Sequence, residues 1–109
     1  MHKVMVKPLS TNQAWAGRRF KSEAYKAFEQ EMLLRLPRGV EIPAGDLCLY
    51  LEAGQSNMRS DVDNVCKQTI DCLAKKYGFD DCRIVEMSVR KKKVEKGAEY
   101  ILFNIVSAD

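Results

Sequence analysis

Residues 61–78 read DVDNVCKQTIDCLAKKYG and carry the clearest helix signal in the chain. Apolar residues recur at helical spacing from Val62 to Tyr77, while polar and charged residues occupy the opposite face. Gly78 follows at the position where a helix commonly ends in a left-handed residue. The stretch therefore predicts an amphipathic helix from about Asp61 to Tyr77, with one face on a core and the other toward solvent.

The flanking segments predict a second helix and a small sheet. Ser22 is the expected N-cap of a helix that Pro37 and Gly39 end. Strands are predicted over His2 to Lys7, Asp46 to Ala53, Ile84 to Arg90 and Tyr100 to Val106, with a hairpin turn at Glu95-Lys96-Gly97. The expected fold is α+β, a small two-layer domain with the order β-α-β-α-β-β, a mixed sheet and two helices, in a single domain over residues 1–109.

The composition is typical of a globular protein and excludes several other classes. The chain has 109 residues, of which 46% are hydrophobic and 30% charged, unlike a disordered, collagen-like or disulfide-scaffold protein. The apolar runs are far shorter than a membrane helix needs, and no apolar segment follows the N-terminus, so we expect no membrane association and a cytoplasmic location. The four cysteines form no CxxC pair and the one histidine is His2, which favours reduced structural cysteines over a zinc site or a catalytic thiol.

The net charge of +3 is unevenly distributed. The basic side chains form two groups: Arg18, Arg19 and Lys21, and then Arg83, Arg90, Lys91, Lys92, Lys93 and Lys96. The acidic side chains concentrate elsewhere, at Asp61, Asp63, Asp71, Asp80 and Asp81. A basic surface with a local acidic cluster indicates a polyanion bound around a metal site. For the lysine run the alternative is a solvated strand edge, where lysine discourages aggregation.

Aspartates lie at both ends of the predicted helix of residues 61–78. If Asp61, Asp63 and Asp81 meet, they form an oxygen-only site suited to Mg²⁺ or Mn²⁺, with Lys67 as a positive charge for a phosphate. The alternative is structural. Asp61 is then only an N-cap, and Asp63 interacts with the helix dipole and pairs with Lys67 four residues later. Spacing alone leaves both interpretations open.

Four short motifs occur in order along the chain. Residues 8–12 (PLSTN) are similar to P-x-S-x-N, residues 61–67 to D-x-D-N-x-x-K, residues 71–73 to D-x-L, and the FDDCRIV of residues 79–85 to D-D-x-x-V. Together they resemble the RusA family of Holliday-junction resolvases, and their order and spacing match over most of the chain.

The resemblance implies a homodimeric, Mg²⁺-dependent endodeoxyribonuclease of phages and prophages, in which Mn²⁺ can substitute and no other cofactor is needed. Such enzymes resolve four-way DNA junctions by paired symmetric nicks in recombination and repair, and a two-fold dimer has the symmetry of that substrate. The resemblance assigns Asp61, Asp63 and Asp81 as the metal ligands and Lys67 as the essential lysine, with Asp80 as the fallback for Asp81. Asp71 also matches a family position, and we expect it to contact Lys67 or the partner protomer.

The expected DNA contacts are basic and amide side chains: Asn12, Arg18, Arg19, Lys21, Arg59, Lys91, Lys92 and Lys93. Arg59 is the only cation in residues 55–60, where family members often carry several, which shifts phosphate binding toward the other groups. Trp15 is interpreted as a core or interface residue rather than a base-stacking one. Two alternatives remain, a non-catalytic phage protein that binds branched DNA and an adaptor of a phage replication cluster. The first predicts no metal-dependent nicks, and the second predicts no salt-sensitive DNA affinity.

Overall fold

The computed structural model describes residues 1–15 and 21–109, which form a four-stranded sheet and three helices. The strands are β1 (His2–Val4), β2 (Leu47–Gln55), β3 (Ile84–Lys93) and β4 (Tyr100–Ser107). The helices are α1 (Thr11–Ala14), α2 (Glu23–Arg35) and α3 (Cys66–Tyr77). Short 3₁₀ segments precede and follow α3, over Val62–Val65 and Asp81–Arg83. The α+β class and the mixed sheet are confirmed, and α1 is a short helix in addition to the two that the sequence predicts.

The strand order β1-β4-β2-β3 corrects one prediction. β3 pairs in parallel with β2, and β4 pairs antiparallel with β2 and β1, so β2 separates the two strands expected to form a hairpin. The chain does turn at residues 95–97, but it crosses the end of β2, where the Val94 N–H donates to the Gln55 carbonyl at 2.9 Å. β4 lies inside the sheet because Ile101 and Phe103 supply core side chains, whereas the charged β3 is suited to an edge.

The core lies between one face of the sheet and the helices. Its members include Val4, Leu47, Leu49, Leu51, Ile101, Phe103, Ile105, Ala14, Tyr25, Phe28, Met32, Cys72 and Leu73. Two predicted helix ends are confirmed: the Ser22 hydroxyl accepts from the Tyr25 N–H at 3.1 Å, and Gly78 has a φ of 70°. No helix in the described ranges is long and apolar enough to cross a bilayer.

The path of the chain separates two groups of aspartates. Asp61 and Asp63 follow the carboxyl end of β2 and lead into α3, which returns along the sheet. Asp81 follows α3 and precedes Ile84, the residue that pairs with Leu47 at the start of β2. Because the 12 residues of α3 span about 18 Å along the helix axis, the two groups lie at opposite ends of that helix.

Candidate metal and nucleic-acid site

Asp61 and Asp63 present two free carboxylates at the carboxyl end of β2. Asp61 has the extended backbone of an N-cap (φ −64°, ψ 153°), but its side chain makes no capping hydrogen bond. Both residues are exposed, and among the described residues neither carboxylate has a hydrogen-bond or ion-pair partner. Asp61 therefore occupies the N-cap position without acting as a side-chain cap, and both carboxylates are available to a cation.

The N-terminal PLSTN segment lies beside this carboxylate pair. The Thr11 hydroxyl donates to the Asn64 carbonyl at 2.9 Å, and the amide of the buried Gln68 donates to the carbonyls of Leu9 and Asn64. These bonds join the first and second sequence motifs in space, although more than 50 residues separate them in the chain. By donating to both carbonyls, the Gln68 amide nitrogen ties the PLSTN segment to the segment that carries Asp63.

An open polar cleft of about 430 Å³ lies between the PLSTN segment and the loop that follows β2. Two cations, Lys7 and Arg59, and three asparagines, Asn12, Asn57 and Asn64, contribute to its lining. The structure thus brings together two predicted DNA contacts, Asn12 and Arg59, in a cleft that is also lined by Asn64, the residue that follows Asp63. Sequence reasoning missed Lys7, although it directly precedes the first motif.

Lys67 contacts Asp71 rather than Asp63. Its Nζ lies 3.5 Å from Asp71 Oδ1, and the other oxygen of Asp71 accepts from the Tyr25 hydroxyl at 2.9 Å. The structural alternative, in which Asp63 pairs with Lys67, is wrong on this point because Asp63 lies in the 3₁₀ segment, where residues four apart do not stack. The interpretation of Asp71 as a contact of Lys67 is confirmed.

Asp81 is not brought to Asp61 and Asp63 within one chain. Across residues 1–15 and 21–109, no three His, Cys, Asp or Glu side chains are arranged to hold a metal ion. Asp81 instead borders a shallow cavity of about 300 Å³, which Glu86 and Met87 also line. The Asp80 carboxylate caps the following 3₁₀ segment through the Cys82 N–H at 3.0 Å, and this bond lowers the pKa of Asp80. Asp80 thus has a local structural role, and Asp81 has an exposed carboxylate.

Of the predicted DNA contacts near the N-terminus outside the cleft, the structure describes Lys21 only. Arg18 and Arg19 lie outside the described residues. Lys21 forms a 2.8 Å ion pair with Glu29, and this hydrogen bond is the main reason that the pKa of Glu29 is lowered. Trp15 packs against the core as expected, with its ring edge-on to that of Tyr25.

Lys91 and Lys93 hold the loop that precedes the carboxylate pair. The half-buried Lys91 ammonium donates to the carbonyls of Met58 and Ser60 at 2.8 and 2.5 Å, and Lys93 donates to the Ser56 carbonyl. Lys92, between them, is exposed. The lysine run is therefore divided between the two faces of β3, since alternate residues of a strand point to opposite faces.

We expect Lys91→Met to loosen this loop. Without the ammonium, the carbonyls of Met58 and Ser60 lose their donor, and trypsin should cleave after the exposed Arg59 about fivefold faster because local opening exposes that bond. Limited proteolysis with mass spectrometry measures the rate. Lys92→Met removes the same charge one residue away and should leave that rate unchanged. Equal rates in both variants would contradict the anchoring role.

The cysteines fit the structural role that the sequence predicted. All four are unpaired, and Cys66 and Cys72 are buried. Burial raises the pKa of both thiols, that of Cys72 to about 12, so neither is a thiolate near neutral pH. The thiols of Cys66 and Cys72 are therefore poor nucleophiles near neutral pH.

A comparison with protein families gives a match over most of the chain. A family model described as Endodeoxyribonuclease RusA matches residues 4–101. The matched range includes the PLSTN segment, the carboxylate pair, Lys67 and Asp81. A search of curated proteins found no match.

Proposed function

The chain belongs to the RusA endodeoxyribonuclease family, and from this we propose that it is a Mg²⁺-dependent endonuclease that resolves four-way DNA junctions by paired symmetric nicks. The observation that carries the proposal is the family match over residues 4–101, which covers the free carboxylates of Asp61 and Asp63 and the polar cleft beside them. We place its action in recombination and repair, in the cytoplasm of a bacterial host, as a phage or prophage protein.

The carboxylate pair fits a hard divalent cation. Its donors are carboxylate oxygens, both side chains are exposed, and no described side chain neutralises them. When bound there, Mg²⁺, or Mn²⁺ in its place, would lower the pKa of a bound water and offset the charge of the phosphodiester. Asp61 and Asp63 would hold the ion from one protomer, and the third proposed ligand, Asp81, lies at the far end of α3.

We propose that Asp81 completes the site across a two-fold dimer. The side of the sheet next to Asp81 is suited to such a contact, because β3 is an edge strand whose Val85 and Met87 are 58% and 42% exposed. Val85 and Met87 precede the charged residues 90–93 of β3, and exposed apolar side chains on an edge strand are commonly covered by another chain. A two-fold axis would exchange the Asp81 residues, so the dimer would contain two complete sites for the two equivalent strands of a junction.

The other polar residues would bind and orient the DNA. Lys67, which Asp71 holds on the exposed side of α3, would contact the scissile phosphate and stabilise the charge that develops on it. Lys7, Asn12 and Arg59 would hold the adjacent backbone in the cleft. Hydrolysis would leave 5′-phosphate and 3′-hydroxyl ends that a ligase can seal. Further phosphate contacts are proposed for Arg18, Arg19, Lys21 and Lys92.

A synthetic immobile four-way junction tests the proposal. The wild-type protein should produce paired symmetric nicks with Mg²⁺, no nicks with EDTA, and no nicks in a linear duplex of the same sequence. Binding measured in EDTA should weaken steeply with salt, because each phosphate contact releases counterions. The assay therefore separates metal-dependent chemistry from binding.

Two results would contradict the proposed nuclease activity. A junction that is bound but uncut with every divalent metal would indicate a non-catalytic protein that binds branched DNA. A junction that is neither bound nor cut would indicate an adaptor, and the free carboxylates would then be solvated surface groups.

A further inference from the structure

A chain of contacts leads from the core to Lys67. The hydroxyl of Tyr25, on α2, donates to Asp71 Oδ2 at 2.9 Å, and Asp71 Oδ1 lies 3.5 Å from Lys67 Nζ. Tyr25 is fully buried, whereas the side chains of Asp71 and Lys67 are 27% and 63% exposed. The three groups therefore connect the helix layer to the exposed face on which Lys67 would meet DNA.

The two Asp71 contacts differ in their surroundings. The pair with Lys67 is largely solvated, and such pairs contribute little to stability. The Tyr25 hydroxyl cannot turn away, because its ring is enclosed by the core, with Trp15 edge-on at 5.3 Å and the Lys21 ammonium 4.8 Å from its centroid. Tyr25 is thus the rigid member of these three residues, and its hydroxyl determines which oxygen of Asp71 remains free for Lys67.

Tyr25 is also a permanent donor. Burial and, second, the hydrogen bond to Asp71 raise its pKa far above the usual range for tyrosine. The hydroxyl therefore keeps its proton wherever the protein is folded, and Asp71 Oδ2 stays occupied. A phenylalanine would fill the same core volume and supply no such bond, so packing alone does not explain the hydroxyl.

We propose that Tyr25 is a positioning residue for phosphodiester cleavage: its hydroxyl fixes Asp71, and Asp71 holds the Lys67 ammonium in the orientation that meets the scissile phosphate. This inference rests on the proposed function, because Lys67 is assigned to the phosphate there. It adds a residue of α2, outside all four sequence motifs, to the machinery of the site.

The first test is Tyr25→Phe, assayed on the junction under single-turnover conditions. We expect the cleavage rate to decrease about tenfold, because a small displacement of a catalytic group is costly, while junction affinity in EDTA stays the same. Tyr77→Phe is the matched control. It also deletes a tyrosine hydroxyl that has a protein partner, the Pro37 carbonyl at 2.7 Å, and it should lower Tm similarly without slowing cleavage.

The second test separates positioning from general damage to the fold. In an Asp71→Asn background, Tyr25→Phe should cause little further loss of rate, because the two residues act through one contact chain. An equal loss in both backgrounds, or equal rates for Tyr25→Phe and Tyr77→Phe, would overturn the proposal.

A third measurement does not depend on cleavage. Acetic anhydride labelling of the free protein, read by mass spectrometry, should modify Lys67 at least about twofold faster in Tyr25→Phe, as loss of a weak ion pair predicts. Lys75, which pairs with Glu29 at 3.0 Å, serves as the internal reference. An unchanged Lys67 ratio would overturn the positioning role. A wild-type protein that leaves the junction intact would overturn the proposed function instead, and the labelling ratio would still decide whether Tyr25 holds Lys67.

Discussion

Asp61→Asn and, separately, Asp63→Asn are expected to abolish Mg²⁺-dependent cleavage of a four-way junction. Each substitution keeps the size and polarity of the side chain but removes a negative charge from a pair that has no other described neutralising partner. We expect the single-turnover rate to decrease by at least about a thousandfold, equivalent to about 4 kcal/mol of barrier at 1.36 kcal/mol per tenfold.

The same variants should still bind the junction. A carboxylate next to a phosphodiester repels it in the absence of metal, so affinity in EDTA should stay constant or increase. Glu31→Gln is the matched control, because it removes one acidic charge from the α2 pair with Arg35 and should leave cleavage unchanged. Cleavage at the wild-type rate in Asp61→Asn would show that Asp61 has no role in the chemistry.

The parts of the fold that local chemistry determines could be predicted from the sequence. Ser22 and Gly78 mark helix ends through bonds and backbone angles within a few residues, and both predictions are confirmed. The hairpin at residues 95–97 was wrong because it depends on a distant segment. The turn forms, but β2 lies between β3 and β4 in the sheet. The residues of the turn do not indicate that β4 packs into the core more than β3 does.

The candidate site, like the fold, could be predicted from the sequence only in part. The sequence predicted a helix that begins at about Asp61, but Val62–Val65 form a 3₁₀ segment and α3 begins only at Cys66. Within α3, Lys67 pairs with Asp71 four residues later. The roles of Lys91 and Lys93 were also unpredictable, because their partners are backbone carbonyls more than 30 residues away. Charge patterning identifies which side chains are cations, but it does not show which of them donate hydrogen bonds to the protein's own backbone.

Asp61→Asn and Asp81→Asn are each expected to be inactive alone, and mixing them is expected to restore nicking. If each site combines Asp61 and Asp63 of one protomer with Asp81 of the partner subunit, a mixed dimer concentrates both substitutions in one site and leaves the other site intact. Random exchange makes about half of the dimers mixed, so about a quarter of the wild-type number of sites should return. Co-refolding, followed by cleavage of a cruciform in a supercoiled plasmid, measures the recovery.

The form of the plasmid product, nicked circle or linear, is a second readout of the mixing experiment. A dimer with one intact site cuts one strand, so the mixture should release nicked circles where the wild type releases linear plasmid. Asp61→Asn mixed with Asp63→Asn is the matched control, because both substitutions fall in the same half of the site and no mixed dimer has an intact one. If tagged pull-down confirms mixed dimers of Asp61→Asn with Asp81→Asn but no nicks appear, the shared site is wrong. Because α3 has 12 residues and is about 18 Å long, Asp81 of the same chain lies too far from Asp61 and Asp63. A different third ligand near Asp61 and Asp63 would then be required.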